Sequence, residues 1–523
     1  MSRAPGAAPA DAYFRDPPPD RNRSARSASL MVASSGAQLG VGLVAVAILA
    51  RILTPADFGV FTMAAFLLAL AGAFRDFGLP MATVQSAALN HGQASALFWL
   101  NMKLCAAMAL CMAALGPLLA WFFGHQALVG ITAALGVGLA VAGIGNIHHG
   151  LLARRMRFGA ITVTEVAAVA AGAAAGIAAA MLGAGYWALV AQQVGFFVTL
   201  GVLPWLLCGW RPAGPRASRR GDDAGLRSLV FYGKDLTLSK AMTQLGGNLD
   251  FVLIGRFAGA GPLGLYQAAF RWAMLPVQQL YTPLNGVVVA TLSRLQADAE
   301  RYRATFRTAV RCSAALALPA LAFLFVAASD VVLLLLGEQW LGAVPLFQAL
   351  AVAAFLDVGR LSCKWSYLAE GRVQRQLRWT LIATPVLMLG VALGMLWGAH
   401  GVAVGYAAAT AALLYPGVAF CLSGSPLRPR DFWQSVWRPA FAGAAAAALL
   451  LLGQVVVSLP LPLAARLPVH GLCFLLLYIA AWLAVPGGRR DAGEMLGLLR
   501  SLRPSAPQSS APLASTAVHP QQL

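Results

Sequence analysis

Charged residues are scarce in this chain. They make up 11 % of its 523 residues, against about 25 % in an average soluble domain, which excludes a water-soluble globular fold. Acids are scarcer than bases: 19 Asp and Glu stand against 38 Lys and Arg, a net charge of +19. The seven cysteines (Cys105, Cys111, Cys208, Cys312, Cys363, Cys421 and Cys473) all fall in or beside apolar runs. None forms a Cys-x-x-Cys pair or a Cys/His metal spacing, so neither a disulfide framework nor a zinc site is expected. The chain also lacks a GxxxxGK[ST] phosphate loop and a GxSxG nucleophile elbow. No long polar loop on the outer side could house a glycan-polymerising site. An enzyme is therefore not expected, nor is a cofactor, and an ATP-driven pump would need a motor on another chain.

Hydrophobic residues are abundant, at 59 %. They arrive in runs of roughly 20, the length that crosses a hydrocarbon core of about 30 Å as a helix. A β-barrel would instead show short alternating segments. The expected fold is an all-α polytopic membrane protein with about fourteen transmembrane helices. Six spans over 29–208 form an N-lobe, and six over 229–422 form a C-lobe. Two more follow within 423–486. Residues 209–228, rich in Gly, Pro and Arg, are expected to be a cytoplasmic linker. Residues 1–28 and 487–523 are expected to be disordered cytoplasmic tails.

The basic residues test this layout. Outside the spans, all but three of the Lys and Arg fall on the side that holds the termini. The exceptions are Arg51, Arg256 and Arg466. Such a bias puts both termini in the cytoplasm. It also accounts for the positive charge without nucleic acid, which would need a soluble basic face.

One stretch occurs twice. RILTPADFGVF (Arg51–Phe61) follows the first span, and RFAGAGPLGLY (Arg256–Tyr266) follows the seventh. Both carry Arg, seven residues, Gly, one residue and an aromatic. The repeat unit is thus six spans, an even number, so both copies enter the membrane in the same direction. That is a parallel repeat about an axis along the membrane normal, an architecture of transporters.

A charge at membrane depth costs about 2.5–3.5 kcal/mol on insertion scales and usually faces a cavity or a partner. The cations within spans are Lys103, Lys234, Lys240, Arg271, Arg360 and Lys364; the acids are Glu165, Asp235, Asp250 and Asp357. Asp357, Arg360 and Lys364 share one helical face at i, i+3, i+7. Asp357 can neutralise Arg360, leaving Lys364 as spare charge. The deep excess is positive and suits an anionic substrate. Lys103, Lys240, Arg271, Arg360 and Lys364 are the candidate binding residues, and Asp250 and Asp357 are candidates for ion or proton coupling. Gln192, Gln193, Gln278 and Gln279 could bind sugar hydroxyls or serve helix packing. His148 and His149, beside Arg154 and Arg155, read as interfacial residues in preference to the alternative, a proton relay.

Residues 50–85, ARILTPADFGVFTMAAFLLALAGAFRDFGLPMATVQ, resemble the N-terminal signature of the polysaccharide (oligosaccharide) flippase family. This is the Wzx-like branch of the multidrug/oligosaccharidyl-lipid/polysaccharide superfamily. Arg51, Leu53, Pro55, Asp57, Phe58 and Gly59 carry the match, with Arg75, Asp76, Gly78, Leu79 and Gln85 as a second block. DFVLIGRFAGAGPLGLY (Asp250–Tyr266) looks like the second-lobe counterpart. The resemblance implies a bacterial inner-membrane flippase for undecaprenyl-pyrophosphate-linked oligosaccharides, working by alternating access in exopolysaccharide, capsule or O-antigen assembly. Membrane lipid and a polymerase or co-polymerase machinery are the implied partners. Arg51, Asp57, Gly59, Arg75, Asp76 and Arg256 are expected at the outer gate rather than at the substrate. The alternative is a cation-drug or ion antiporter of the same superfamily. It would need an acidic cavity, which the charge count argues against.

Overall fold

The computed structural model describes residues 21–76, 83, 89–214, 248–456, 462–491 and 493. Among the described residues the chain forms fifteen α-helices and no strand. In the N-lobe these are α1 (Arg21–Ile52), α2 (Pro55–Asp76), α3 (His91–Phe123), α4 (Ala127–Arg154), α5 (Phe158–Met181) and α6 (Trp187–Cys208). The C-lobe holds α7 (Leu249–Phe257), α8 (Ala260–Arg294), α9 (Ala299–Val326), α10 (Ala328–Leu335), α11 (Val344–Ala369), α12 (Val373–Gly394) and α13 (Gly398–Leu422). Then come α14 (Pro429–Val456) and α15 (Leu463–Ala484).

Eleven stretches among the described residues are long and apolar enough to span a membrane, and the one over 374–422 holds two helices, α12 and α13. The long helix α8 is not among them, because Gln267, Arg271, Gln278 and Gln279 give it a polar face. Of the first span expected in the C-lobe, which was expected to begin at 229, only the end, α7, lies within the described residues.

The repeat is visible in the packing. In the N-lobe α5 pairs with α6, α4 with α6, α3 with α4, and α2 with α4. The corresponding C-lobe pairs, α12 with α13, α11 with α13, α9 with α11, and α8 with α11, form in the same way. Helix α14 lies outside this repeat, packed on α9, and α15 packs on α14.

Local chemistry sets the helix ends. Thr54 caps α2: Asp57 Oδ2 accepts from the Thr54 amide at 2.9 Å and from its hydroxyl at 2.7 Å. Pro55 opens the helix, where its missing N–H costs nothing. This reciprocal cap is the physical content of the TPAD motif. Asn90 and Gln93 form a second capping box at the start of α3.

Three boundaries differ from expectation. Helix α1 begins at Arg21, inside the segment expected to be a disordered tail. After α15 the chain stays in place as far as Asp491, whose carboxylate is buried between Arg311 (2.7 Å) and Arg438 (2.5 Å). The acid is held because both guanidiniums converge on it, a tertiary effect that composition cannot show. The beginning of the expected 209–228 linker is also ordered: Trp210 is buried, and the Ala213 amide donates to Ser95 Oγ. The remainder of that linker, from residue 215, lies outside the described residues.

Candidate functional site

The two lobes meet chiefly along α2 and α8. At this crossing the two copies of the repeated corner touch each other. A Cβ on Gly59 would sit 1.8 Å from the Ala260 carbonyl oxygen, and one on Gly264 would sit 1.8 Å from the Pro55 carbonyl oxygen. Each contact joins the Gly of one copy to the residue four before the Gly of the other, so the contact is reciprocal. Only glycine permits so close an approach of backbones.

Each corner also docks on the opposite lobe. Arg51 Nη2 donates to the Leu334 carbonyl at 2.8 Å. Gln339 Nε2 donates to the carbonyls of Ala50 and Leu53, and Trp340 Nε1 to that of Ala50. Phe58 meets the Trp340 ring edge-on, with centroids 5.1 Å apart. On the other side the Arg256 guanidinium lies 5.8 Å from the Phe122 ring of the N-lobe. These contacts close the corner end of the molecule.

Beside this crossing the lobes enclose a cavity of about 920 Å³. It is walled by α1, α2, α5 and α6 from the N-lobe and by α8 from the C-lobe. Helical periodicity selects the lining. Gln267, Arg271, Leu275, Gln278 and Thr282 form one stripe along α8, while Ser35, Leu39, Gly42 and Val46 form one along α1. Gln38, Gln192, Gln193 and Gln279 add further amides. Among the described lining residues Arg271 supplies the one formal charge, and none of them is an acid.

Of the other expected binding residues, Arg360 is held by Asp357 in a bidentate pair, Nε to Oδ1 at 2.5 Å and Nη2 to Oδ2 at 2.7 Å. Asp357 is buried, whereas the Arg360 side chain remains 62 % exposed. Lys364 is exposed one turn further along α11. Lys103 is exposed on the face of α3 that carries Leu110, itself 72 % exposed. None of these three lines the cavity. Lys240 lies outside the described residues, as do Lys234 and Asp235.

Asp250 is buried and accepts from the Tyr266 hydroxyl at 2.8 Å. The two acids thus sit in separate pairs, Asp250 with Tyr266 and Asp357 with Arg360. Asp57 acts in the cap of α2. Arg75 and Asp76 close α2, but their side chains lie outside the described residues. Sequence reasoning passed over Gln38 and Gln267. Their signal was available: each interrupts an apolar face at cavity-stripe spacing.

His148 is fully buried in an aromatic box, its ring 4.6 Å from that of Trp205 and 5.2 Å from that of Trp210. Three aromatic side chains, Phe98, Trp205 and Trp210, close over it. No cluster of metal-binding side chains occurs among the described residues.

Comparison with known proteins points the same way. The profile of a family described as polysaccharide biosynthesis proteins matches residues 48–345. The lipopolysaccharide biosynthesis protein WzxC of Escherichia coli (strain K12) is 26 % identical over 380 residues, covering 70 % of this chain and 74 % of WzxC. The succinoglycan biosynthesis transport protein ExoT of Rhizobium meliloti (strain 1021) is 27 % identical over 329 residues, 63 % of this chain and 65 % of ExoT. Among solved structures, the lipid II flippase MurJ in an inward closed conformation superposes with a TM-score of 0.65 at 13 % identity. The match covers 86 % of this chain and 97 % of MurJ. An inward-facing multidrug resistance MATE family transporter gives 0.60 at 15 % identity, covering 76 % and 94 %. The two structural matches share the fold, a polytopic helical bundle. With more than half its length matched by the family profile, the chain is a multi-pass membrane protein belonging to the family of polysaccharide biosynthesis proteins.

Proposed function

We propose that the protein is a flippase carrying undecaprenyl-pyrophosphate-linked oligosaccharide repeat units across the bacterial inner membrane, with both termini in the cytoplasm. The observation that carries this reading is the cavity between the lobes, which places one unopposed guanidinium among rows of amides. The pyrophosphate pairs with Arg271, since a guanidinium matches phosphate oxygens in a bidentate manner. Sugar hydroxyls exchange hydrogen bonds with Gln192, Gln193, Gln267, Gln278 and Gln279. The cavity's volume of about 920 Å³ is at the upper end of the range for ligand pockets, about 300–1,000 Å³. The prenyl chain stays in lipid through the gap between lobes, where it loses no hydrophobic stabilisation.

Alternating access then requires the reciprocal Gly59–Gly264 crossing to open and the opposite end to close. The protein acts as a transporter rather than an enzyme, and the polymerase machinery that consumes the flipped repeat unit is its partner. A cation-drug antiporter would hold an acid in this cavity, and the described lining has none. The test is polymer export in a strain deleted for this gene. Expression of the wild type restores export and Arg271→Ala does not, with equal protein in the membrane. Full export by Arg271→Ala, or uptake of a cationic dye falling on expression, would overturn the reading.

A further inference from the structure

A second constellation stands beside the cavity in the N-lobe. Glu165 lies on α5 one turn before Val169 and two before Gly172, both of which line the cavity. Residues at i, i+4 and i+7 share a helical face, so the carboxylate continues the cavity wall toward the end that carries the termini. Its two oxygens serve different helices. Oε2 accepts from Gln38 Nε2 of α1 at 3.0 Å, and Oε1 lies 3.8 Å from His149 Nε2 of α4. Gln38 itself lines the cavity. Both charged side chains are partly open, 35 % for His149 and 38 % for Glu165, so water can reach them.

The surroundings leave the pair to itself. Helix α1 contributes the uncharged Ser34 and Gln38, and α6, packed along α5, carries no charged residue from Trp187 to Cys208. On α4, Arg154 is directed to the Thr83 carbonyl, with Arg155 at the helix end beside it. His149 is the titratable group that faces Glu165 among the described residues.

We propose that His149 and Glu165 form a proton-binding site whose occupancy sets the charge beside the cavity that holds Arg271. Two states follow. With a neutral imidazole the pair carries one negative charge. A hydronium ion then gives its proton to Nε2, leaving water, and the pair becomes an imidazolium–carboxylate with no net charge. An anion held by Arg271 is repelled by the first state and not by the second. Proton and anion therefore bind together, and each raises the affinity for the other by the same factor. Gln38, bonded to the carboxylate and exposed to the cavity, is the physical link. This coupling rests on the reading of Arg271 as the anion anchor.

The test uses the full chain in nanodiscs, with geranylgeranyl pyrophosphate as the probe. In the first measurement, infrared difference spectra between about pH 5.5 and about pH 8 bracket the ordinary imidazole range. They should show an imidazole band in the wild type that is lost in His149→Gln and altered in Glu165→Gln, and a carboxylate band that is lost in Glu165→Gln. In the second, probe affinity in the wild type, taken relative to Glu165→Gln at each pH to cancel the probe's own ionisation, should fall on the order of tenfold toward the higher pH. Unchanged infrared bands in Glu165→Gln, or the same pH ratio in both proteins, would overturn the proposal. Arg271→Ala separates the two readings: it should weaken the probe at both pH values and leave the infrared titration in place. Full probe affinity in Arg271→Ala would remove the anchor and the coupling while the infrared result still decides the proton site.

Discussion

Two regions of this molecule place cations at membrane depth, and they treat them in opposite ways. In the C-lobe, the exposed Arg360 is clamped by the buried Asp357, and Asp250 is capped by Tyr266. In the cavity between the lobes, Arg271 has rows of amides around it and no acid among the described lining residues. A charge with an internal partner is compensated and stabilises the lobe. A charge without one, open to a cavity, is held ready for a ligand. The contrast teaches that a surplus of buried cations says little by itself; the placement of the acids decides which cation is available.

The sharpest way to break the contrast is to give Arg271 a partner. Gln267 lies four residues before it on the same stripe of α8, so Gln267→Glu recreates there the pairing seen at Asp357 and Arg360. Lipid flipping should fall on the order of a hundredfold, the upper range for a site-to-site coupling, with folding intact in a thermal-shift assay. The reverse change, Asp357→Ala, strips Arg360 of its partner. Losing a buried partner costs about 3–5 kcal/mol when both ions are enclosed. Because Arg360 is half open, the loss expected here is about 2 kcal/mol, visible as a lowered melting temperature of the detergent-solubilised protein.

A comparable effect is expected at the lobe crossing. Gly59→Ala or Gly264→Ala inserts a methyl group against a backbone carbonyl and costs about 1–3 kcal/mol of the closed arrangement. Spin labels at the exposed positions Ile52 and Phe257 should report a longer and broader distance distribution. An unchanged distribution would show that these corners do not move apart in transport. The smallest effect belongs to Tyr266→Phe, which leaves Asp250 short of one hydrogen bond. It should lower stability by about 1 kcal/mol with flipping per folded molecule unchanged.

Much of this was legible in the sequence. The apolar runs located the helices. The recurrence of Arg-x7-Gly-x-aromatic marked the two corners before any contact between them was known, and the structure shows why Gly stands in both. Asp357 and Arg360 were legible as a pair, since i, i+3 spacing places partners on one face. The rest depends on contacts between distant segments. Nothing in the local pattern says that Gln339 and Trp340 would satisfy the carbonyls of the first corner, or that Gln38 would reach Glu165. Arg271 and Lys103 also look alike in sequence, each a lone cation in an apolar run. Packing turns one into the cavity and leaves the other on the outer face of α3.

The central claim is that Arg271 holds the pyrophosphate of a lipid-linked substrate. The most direct measurement is the initial rate of flipping of an undecaprenyl-pyrophosphate-linked oligosaccharide in proteoliposomes containing wild type, Arg271→Lys or Arg271→Ala. The account predicts that Arg271→Ala loses on the order of a hundredfold and that Arg271→Lys retains an intermediate rate, because a point charge replaces a bidentate fork. Wild-type rates in Arg271→Ala would contradict it.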